Sequence, residues 1–284
     1  YLTQTYNVPP LVLAFWRDVF VVITLFPILL IFKPLLLPVN RSNIKFLIAY
    51  GFLLASFNAL WTLSVWLNGA AIATVMVYCS TAFTVLLGWL FLKESINPGK
   101  ILAVIFSLAG CYLVSGAISQ DITLLNLPGI LTGIFAGLCY ALYSLMGRSA
   151  SQRCLNPWTT LLYTLGFAAI FLLIPNLIPG EILPGSAAQP LDIFWLNNQW
   201  LGWVILFLLA AIPTVAGFGL YNISLVYLAS SVANLIVTLE PVFTAITAYF
   251  LLNERMTAFQ IWGSILILSG VIILRLYERR YSNR

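Results

Sequence analysis

The chain alternates long apolar runs with short polar turns. Runs of about 20 apolar residues, enough to cross a bilayer as a helix, predict nine helices. Their limits are 11–32, 44–66, 70–92, 99–117, 128–148, 157–178, 200–227, 230–252 and 258–276. The runs are continuous rather than alternating, which argues against strands. Turn chemistry separates them at Lys33-Pro34 through Arg41, Asn97-Pro98-Gly99, Leu127-Pro128-Gly129 and Asn156-Pro157. The longest connection, 179–199, holds Pro179, Pro184, Gly185 and Pro190 and shows no periodicity. It is expected as an irregular segment over one mouth of the bundle.

Composition fixes the solvent. Of 284 residues, 62% are hydrophobic and 7% charged, against about 25% charged in a soluble domain. There is no histidine, which removes Ser-His, Cys-His and His-metal chemistry. Cys79, Cys111, Cys139 and Cys154 have no metal or redox spacing and read as free thiols.

The net charge of +5 is a matter of topology. Lys33, Arg41, Lys45, Lys93, Lys100, Arg148, Arg153, Arg275, Arg279, Arg280 and Arg284 fall on one side of the nine spans. Arg255 falls on the other with Asp121, Glu181 and Asp192, and Arg17 lies inside a span. The positive-inside rule places the basic side and the C-terminus in the cytoplasm; the membrane, crossed many times, is expected to be a prokaryotic inner membrane. No nucleic-acid partner is implied. Nine spans then put Tyr1 outside, and Tyr1-Leu2-Thr3 lacks an initiator Met. A further helix is expected to precede it, making ten.

Sliding the chain by 160 residues lays 51–114 on 211–274 without a gap. The informative pairs are Phe83/Phe243, Thr84/Thr244, Glu94/Glu254 and Gly110/Gly270. The matched spans 70–92 and 230–252 are an odd number of crossings apart, so the halves run in opposite directions. Inverted repeats are the signature of carriers that bind substrate near midplane. The expected fold class is therefore an all-α membrane protein with an inverted five-plus-five helix repeat, its first helix absent here. The first repeat occupies 1–117, the second 128–276, and 277–284 forms a basic cytoplasmic tail.

The stretch LEPVFTAITAYFLLNERMT, followed by IWGSILILSGVIIL, resembles the second half of the EamA family in the drug/metabolite transporter superfamily. PPLVLAFWRDV resembles the opening of that family's second helix, and LFLKESINPGKILAVIFSLAGCYLV the close of its first repeat. The resemblance covers essentially the whole chain. It implies ten helices, cytoplasmic termini and transport of small metabolites, with export favoured. This chain departs from the pattern in its first repeat, where Cys79-Ser80-Thr81 stands in place of a Glu-Pro pair. In the second repeat, Thr164-Leu165-Gly166 stands near the place of Arg17.

Two intramembrane charge sites are candidates for function. Glu240, beside Pro241 in an apolar run, is either a polar determinant of the cavity with proton sensitivity or a structural acid that binds backbone donors at a kink. Pro241 is the expected hinge. Arg17 and Asp18 lie in the first span and, being adjacent, are not expected to meet face to face. Arg17 has several open roles: a fork for a substrate carboxylate or phosphate, a snorkel to the outer interface, or a partner for Asp18 or Glu240. The structural options are favoured.

The remaining candidate substrate contacts are Asn58, Trp61, Tyr78, Ser80, Tyr140, Tyr143, Tyr221, Asn222, Asn234 and Thr238. Asn234 and Thr238 share a helix face. Aromatic walls with a few amides suit an amino acid, preferentially aromatic or hydrophobic. Any one of these residues is equally at home in a membrane core.

Gly129, Gly133 and Gly137 form a stripe suited to helix packing, and Glu94 and Glu254 suit helix capping or loop linkage. No phosphate loop, nucleotide-hydrolysis motif, metal cluster or cofactor site is present. The reading is a secondary transporter whose partners are a small-molecule substrate and the bilayer. A membrane enzyme, a lipid-handling protein or a passive channel stands as the alternative.

Overall fold

In the computed structural model, residues 2, 6–115, 126–180, 183–252 and 257–282 are described. Asp121, Glu181, Glu254, Arg255 and Arg284 lie outside them, as do residues 116 and 117 at the end of the expected fourth span and the side chains of 278–282. The described residues are helical with no strand. The helices are α1 (Pro10–Phe32), α2 (Arg41–Tyr78), α3 (Ser80–Leu92), α4 (Pro98–Val114), α5 (Leu127–Gln152), α6 (Pro157–Leu177), α7 (Trp200–Leu209), α8 (Val215–Tyr227), α9 (Ser230–Val237), α10 (Glu240–Leu252) and α11 (Ala258–Ser282).

Six described stretches are long and apolar enough to cross a membrane: Pro10–Phe32, Arg41–Leu92, Leu127–Gln152, Pro157–Leu177, Trp200–Tyr227 and Ala258–Tyr277. The second of these has 52 residues, against about 20 needed for one crossing.

The ends of these elements follow their sequence signals. Asn97 and Asn156 cap α4 and α6 by accepting from Lys100 N at 2.8 Å and Trp158 N at 3.0 Å. In both helices proline takes the first turn, where its missing N–H is no loss.

Several expected helices differ in form. The predicted boundary between 66 and 70 falls at Gly69, whose φ of 78° and ψ of 163° break the helix there without a loop. Only glycine adopts that conformation without strain. The span 200–227 contains a π turn at Ala210–Thr214 around Pro213. The span 230–252 is two helices, α9 and α10, and α11 runs past the expected limit of 276 to Ser282.

The chain divides into two compact units. Unit 1 is 1–66 with 146–227, and unit 2 is 67–145 with 228–284.

In unit 1, α1 packs on α6. Its buried residues Leu11, Ala14, Phe15, Asp18, Val21, Leu25 and Leu29 recur every three or four positions and make one stripe. The 41–66 part of α2 approaches α6 at Gly51, where an added Cβ would lie 2.5 Å from Phe167 Cβ. The long connection is docked rather than loose. Leu11 N donates to Gly185 O at 2.9 Å, Ala187 N to Asn176 Oδ1 at 2.9 Å, and Trp16 Nε1 to Ile193 O at 2.7 Å.

In unit 2, α4 lies against α11. A Cβ added at Gly110 would stand 2.6 Å from Gly263 O, one at Gly263 would stand 2.7 Å from Gly110 O, and one at Gly270 would stand 3.1 Å from Ala103 O. The contacts Gly110–Gly263 and Ala103–Gly270 run in opposite senses along the two helices, so the pair is antiparallel. Helix α9 runs antiparallel to α3, with Asn234 beside Ser80 and Thr84 and Ser230 beside Glu94. The 127–145 part of α5 packs its glycines on 67–78, Gly129 on Leu67 and Asn68, and Gly137 on Met76 and Val77. For those two glycines the packing role read from the sequence holds.

Candidate functional site

In unit 1 the candidate polar residues gather around α1. Arg17 Nη2 donates to Asn58 Oδ1 at 2.8 Å, and Asn58 Nδ2 donates to Asp18 Oδ2 at 3.2 Å. Arg17 Nε lies 3.5 Å from Asp18 Oδ1. The expectation that neighbouring residues on one helix do not pair is corrected here. The long guanidinium arm swings round toward Asp18, and Asn58 from α2 bridges the two. Asp18 is fully buried, and the Arg17 side chain keeps 18% of its surface. The Arg17 guanidinium is thus bonded to Asn58 and paired with Asp18. Trp61 and Tyr221 are half-buried, and Asn222 is buried near Gly147. Asn222 lines a shallow cleft with Ser151, Thr160 and Val226.

In unit 2 the second intramembrane acid begins a helix. Glu240 is the first residue of α10, where its charge complements the helix dipole, and it is exposed. Its Oε2 accepts from Tyr78 Oη at 3.3 Å. Pro241 therefore occupies a first turn, which tolerates it. The kink expected there is a full break at Thr238 and Leu239. A break also falls at Cys79, between α2 and α3, with no proline present. Cys79 and Leu239 are 160 residues apart.

Ser80, Asn234 and Thr238 are buried and bonded within unit 2. Ser80 Oγ donates to Asn234 Oδ1 at 3.2 Å, Asn234 Nδ2 to Thr84 Oγ1 at 2.7 Å, and Thr238 Oγ1 to Ser107 Oγ at 3.2 Å. The seam also needs Thr84 and Ser107, which the sequence reading did not place in the site. The signal was available: both are hydroxyls inside apolar helices. Tyr140 and Tyr143 stack with centroids 6.1 Å apart and planes 12° apart, and Tyr143 is fully buried.

A further cluster joins the end of α3 to the start of α9. Glu94 Oε1 accepts from Ser230 N at 2.7 Å and Ser230 Oγ at 2.6 Å. Glu94 Oε2 accepts from Ser231 N at 3.3 Å and from Ser231 Oγ. Lys100, buried, donates from Nζ to Ser231 Oγ at 3.1 Å. The N-cap position of α9 is Ala229, which has no side-chain acceptor. Glu94 supplies the cap from elsewhere in the chain, in the capping role its sequence position suggested.

Long apolar helices, with polar and charged side chains bonded inside them, define a multi-pass membrane protein. The chain belongs to the EamA-like transporter family, within the drug/metabolite transporter superfamily; the family's sequence model matches residues 2–116 and 127–276.

It is similar to a probable amino-acid metabolite efflux pump of Escherichia coli, 25% identical over 273 residues, covering 94% of this chain and 86% of that one. It is also similar to the threonine/homoserine exporter RhtA of Salmonella typhimurium, 25% identical, covering 88% and 77%. An uncharacterized transporter of Archaeoglobus fulgidus is 27% identical, covering 72% of this chain and 66% of its own length. One solved crystal structure has the same fold, with a TM-score of 0.76, 17% identity, and coverage of 98% of this chain and 92% of that one.

Proposed function

We propose that the chain is a secondary transporter. It moves a small organic metabolite, most favourably an amino acid with an aromatic or hydrophobic side chain, out of a prokaryotic cell by alternating access. The C-terminus lies in the cytoplasm, and the repeats are 1–117 and 128–276, followed by the basic tail.

One observation carries this reading. Under an offset of 160 residues Gly110 corresponds to Gly270 and Ala103 to Gly263. The contact Gly110–Gly263 then becomes the contact Ala103–Gly270, and both are present in unit 2. A helix pair that maps onto itself when its members are exchanged and reversed is what two inverted repeats produce, and inverted repeats support alternating access. The paired breaks at Cys79 and Leu239 support the same reading. The amino-acid assignment draws on what the named relatives export.

In unit 1 the proposed substrate determinants are Arg17, Asp18, Trp61, Tyr221 and Asn222; in unit 2 they are Tyr78, Tyr140, Tyr143 and Glu240. Within unit 2, Ser80, Asn234 and Thr238 join α9 to α3 and α4, and Pro241 marks the hinge; within unit 1, Asn58 holds Arg17 and Asp18.

Counterflow in proteoliposomes tests the proposal. Vesicles loaded with unlabelled L-phenylalanine, L-leucine or L-threonine should accumulate the labelled amino acid transiently. Uptake that tracks a nucleoside or lipid panel, and no amino acid, would reject the substrate class.

A further inference from the structure

Asp18 is fully buried on the packed stripe of α1, yet its two oxygens differ. Oδ2 accepts from Asn58. Oδ1 faces Arg17 Nε at 3.5 Å, and neither of those two atoms makes a hydrogen bond. A well-made buried ion pair is bidentate and saturated; this one leaves Asp18 Oδ1 in the field of Arg17 but without a hydrogen bond.

Among the described residues of unit 1, no other charged side chain is bonded to Asp18 or Arg17. Helix α6 and the stretch 200–227 contain no Asp, Glu, Lys or Arg. In the 41–66 part of α2 the only charges are Arg41 and Lys45, several turns from Asn58. Arg148 is committed to the carbonyls of Leu225 and Val226. In the docked connection, Asp192 accepts from its own turn at Gln189 N.

For a carboxylate whose own ammonium group is balanced outside this cluster, charge balance in an apolar span then permits two arrangements. In one, Arg17 and Asp18 neutralise each other, as seen. In the other, Asp18 carries a proton and Arg17 is neutralised by an external anion. A proton alone strands the guanidinium, and an anion alone leaves two negative groups for one positive one. Carboxylates suit the vacated guanidinium because its planar N–H pairs match their two oxygens.

We propose that Arg17, Asp18 and Asn58 form a proton–carboxylate exchange centre, in which the carboxylate of the substrate displaces Asp18 from Arg17 and Asp18 takes up a proton at Oδ1. This rests on the transporter reading above. The proton comes from water on the side where substrate enters and returns to water on the other side, once Arg17 recovers Asp18. One proton therefore moves with each substrate carboxylate, in the same direction, and an outward substrate gradient drives protons out with it.

The test uses the full chain in proteoliposomes with a pH dye in the lumen. Efflux of L-phenylalanine should alkalinise the lumen at a fixed proton-to-substrate ratio, while phenethylamine, which lacks the carboxylate, should produce no coupled signal. In Asp18→Asn that ratio should fall to zero at whatever rate the variant transports. Counterflow without proton movement in the wild type, or an unchanged ratio in Asp18→Asn, overturns the exchange centre and leaves the transporter reading standing. Absence of counterflow for every amino acid overturns the substrate reading instead.

A second measurement needs no variant. Dicyclohexylcarbodiimide modifies protonated carboxyls in apolar surroundings, and mass spectrometry should find its adduct on Asp18, increased by L-phenylalanine and not by phenethylamine. No adduct at Asp18 at acidic pH with L-phenylalanine present overturns the proposal.

Discussion

Asn58 is the residue on which the charge cluster of unit 1 turns. Its amide donates to Asp18 and accepts from Arg17, so a single side chain serves both charges. Asn58→Ala should leave both partly unsatisfied and lower stability by about 1–3 kcal/mol, read as an earlier thermal unfolding midpoint in detergent. Asn58→Asp should be worse, because it sets a second carboxylate against Asp18. The sequence marked Asn58, Arg17 and Asp18 as intramembrane polar residues but not as one cluster. That grouping depends on the rotation of α2 about its axis, which a largely apolar helix does not disclose. Glu240 shows the same limit. Its neighbour Pro241 advertised an irregularity, and only the fold shows a new helix starting there rather than a bent one.

At the level of elements, close approaches decide what each position tolerates. Gly110→Ala places a methyl 2.6 Å from Gly263 O, a backbone atom that yields only if α4 and α11 separate. The expected loss is about 1–3 kcal/mol. Gly270→Ala, at 3.1 Å from Ala103 O, should cost less, and Gly166→Ala, whose nearest neighbour is 3.8 Å away, should be tolerated. Thermal unfolding of the three purified variants checks the order. Gly69→Ala should cost about 1–3 kcal/mol for a different reason, since the backbone there is closed to an L side chain. Helix positions and caps were legible because bilayer length, proline and asparagine act locally. The break at Gly69 was legible too, between the spans ending at 66 and beginning at 70; the break at Cys79 was not, because no local signal marks it.

The whole molecule departs most from its sequence arithmetic. The repeats read along the chain are 1–117 and 128–276, yet each compact unit combines segments from both. Helices α3 and α4 of the first repeat find their neighbours in α9 and α11 of the second. Residues 126–284 expressed alone should therefore fail to accumulate in membranes, and co-expression with 1–117 should restore both protein level and counterflow. Immunoblots of the membrane fraction read this directly.

The cap on α9 also imposes a chronology. This helix has eight residues, too few to persist unaided, and its leading amides close only on Glu94, more than a hundred positions upstream. A ribosome delivers that carboxylate first. The late helix therefore matures against a template already seated in the bilayer, so an error in early insertion reappears as a defect in a segment not yet synthesised when it occurred.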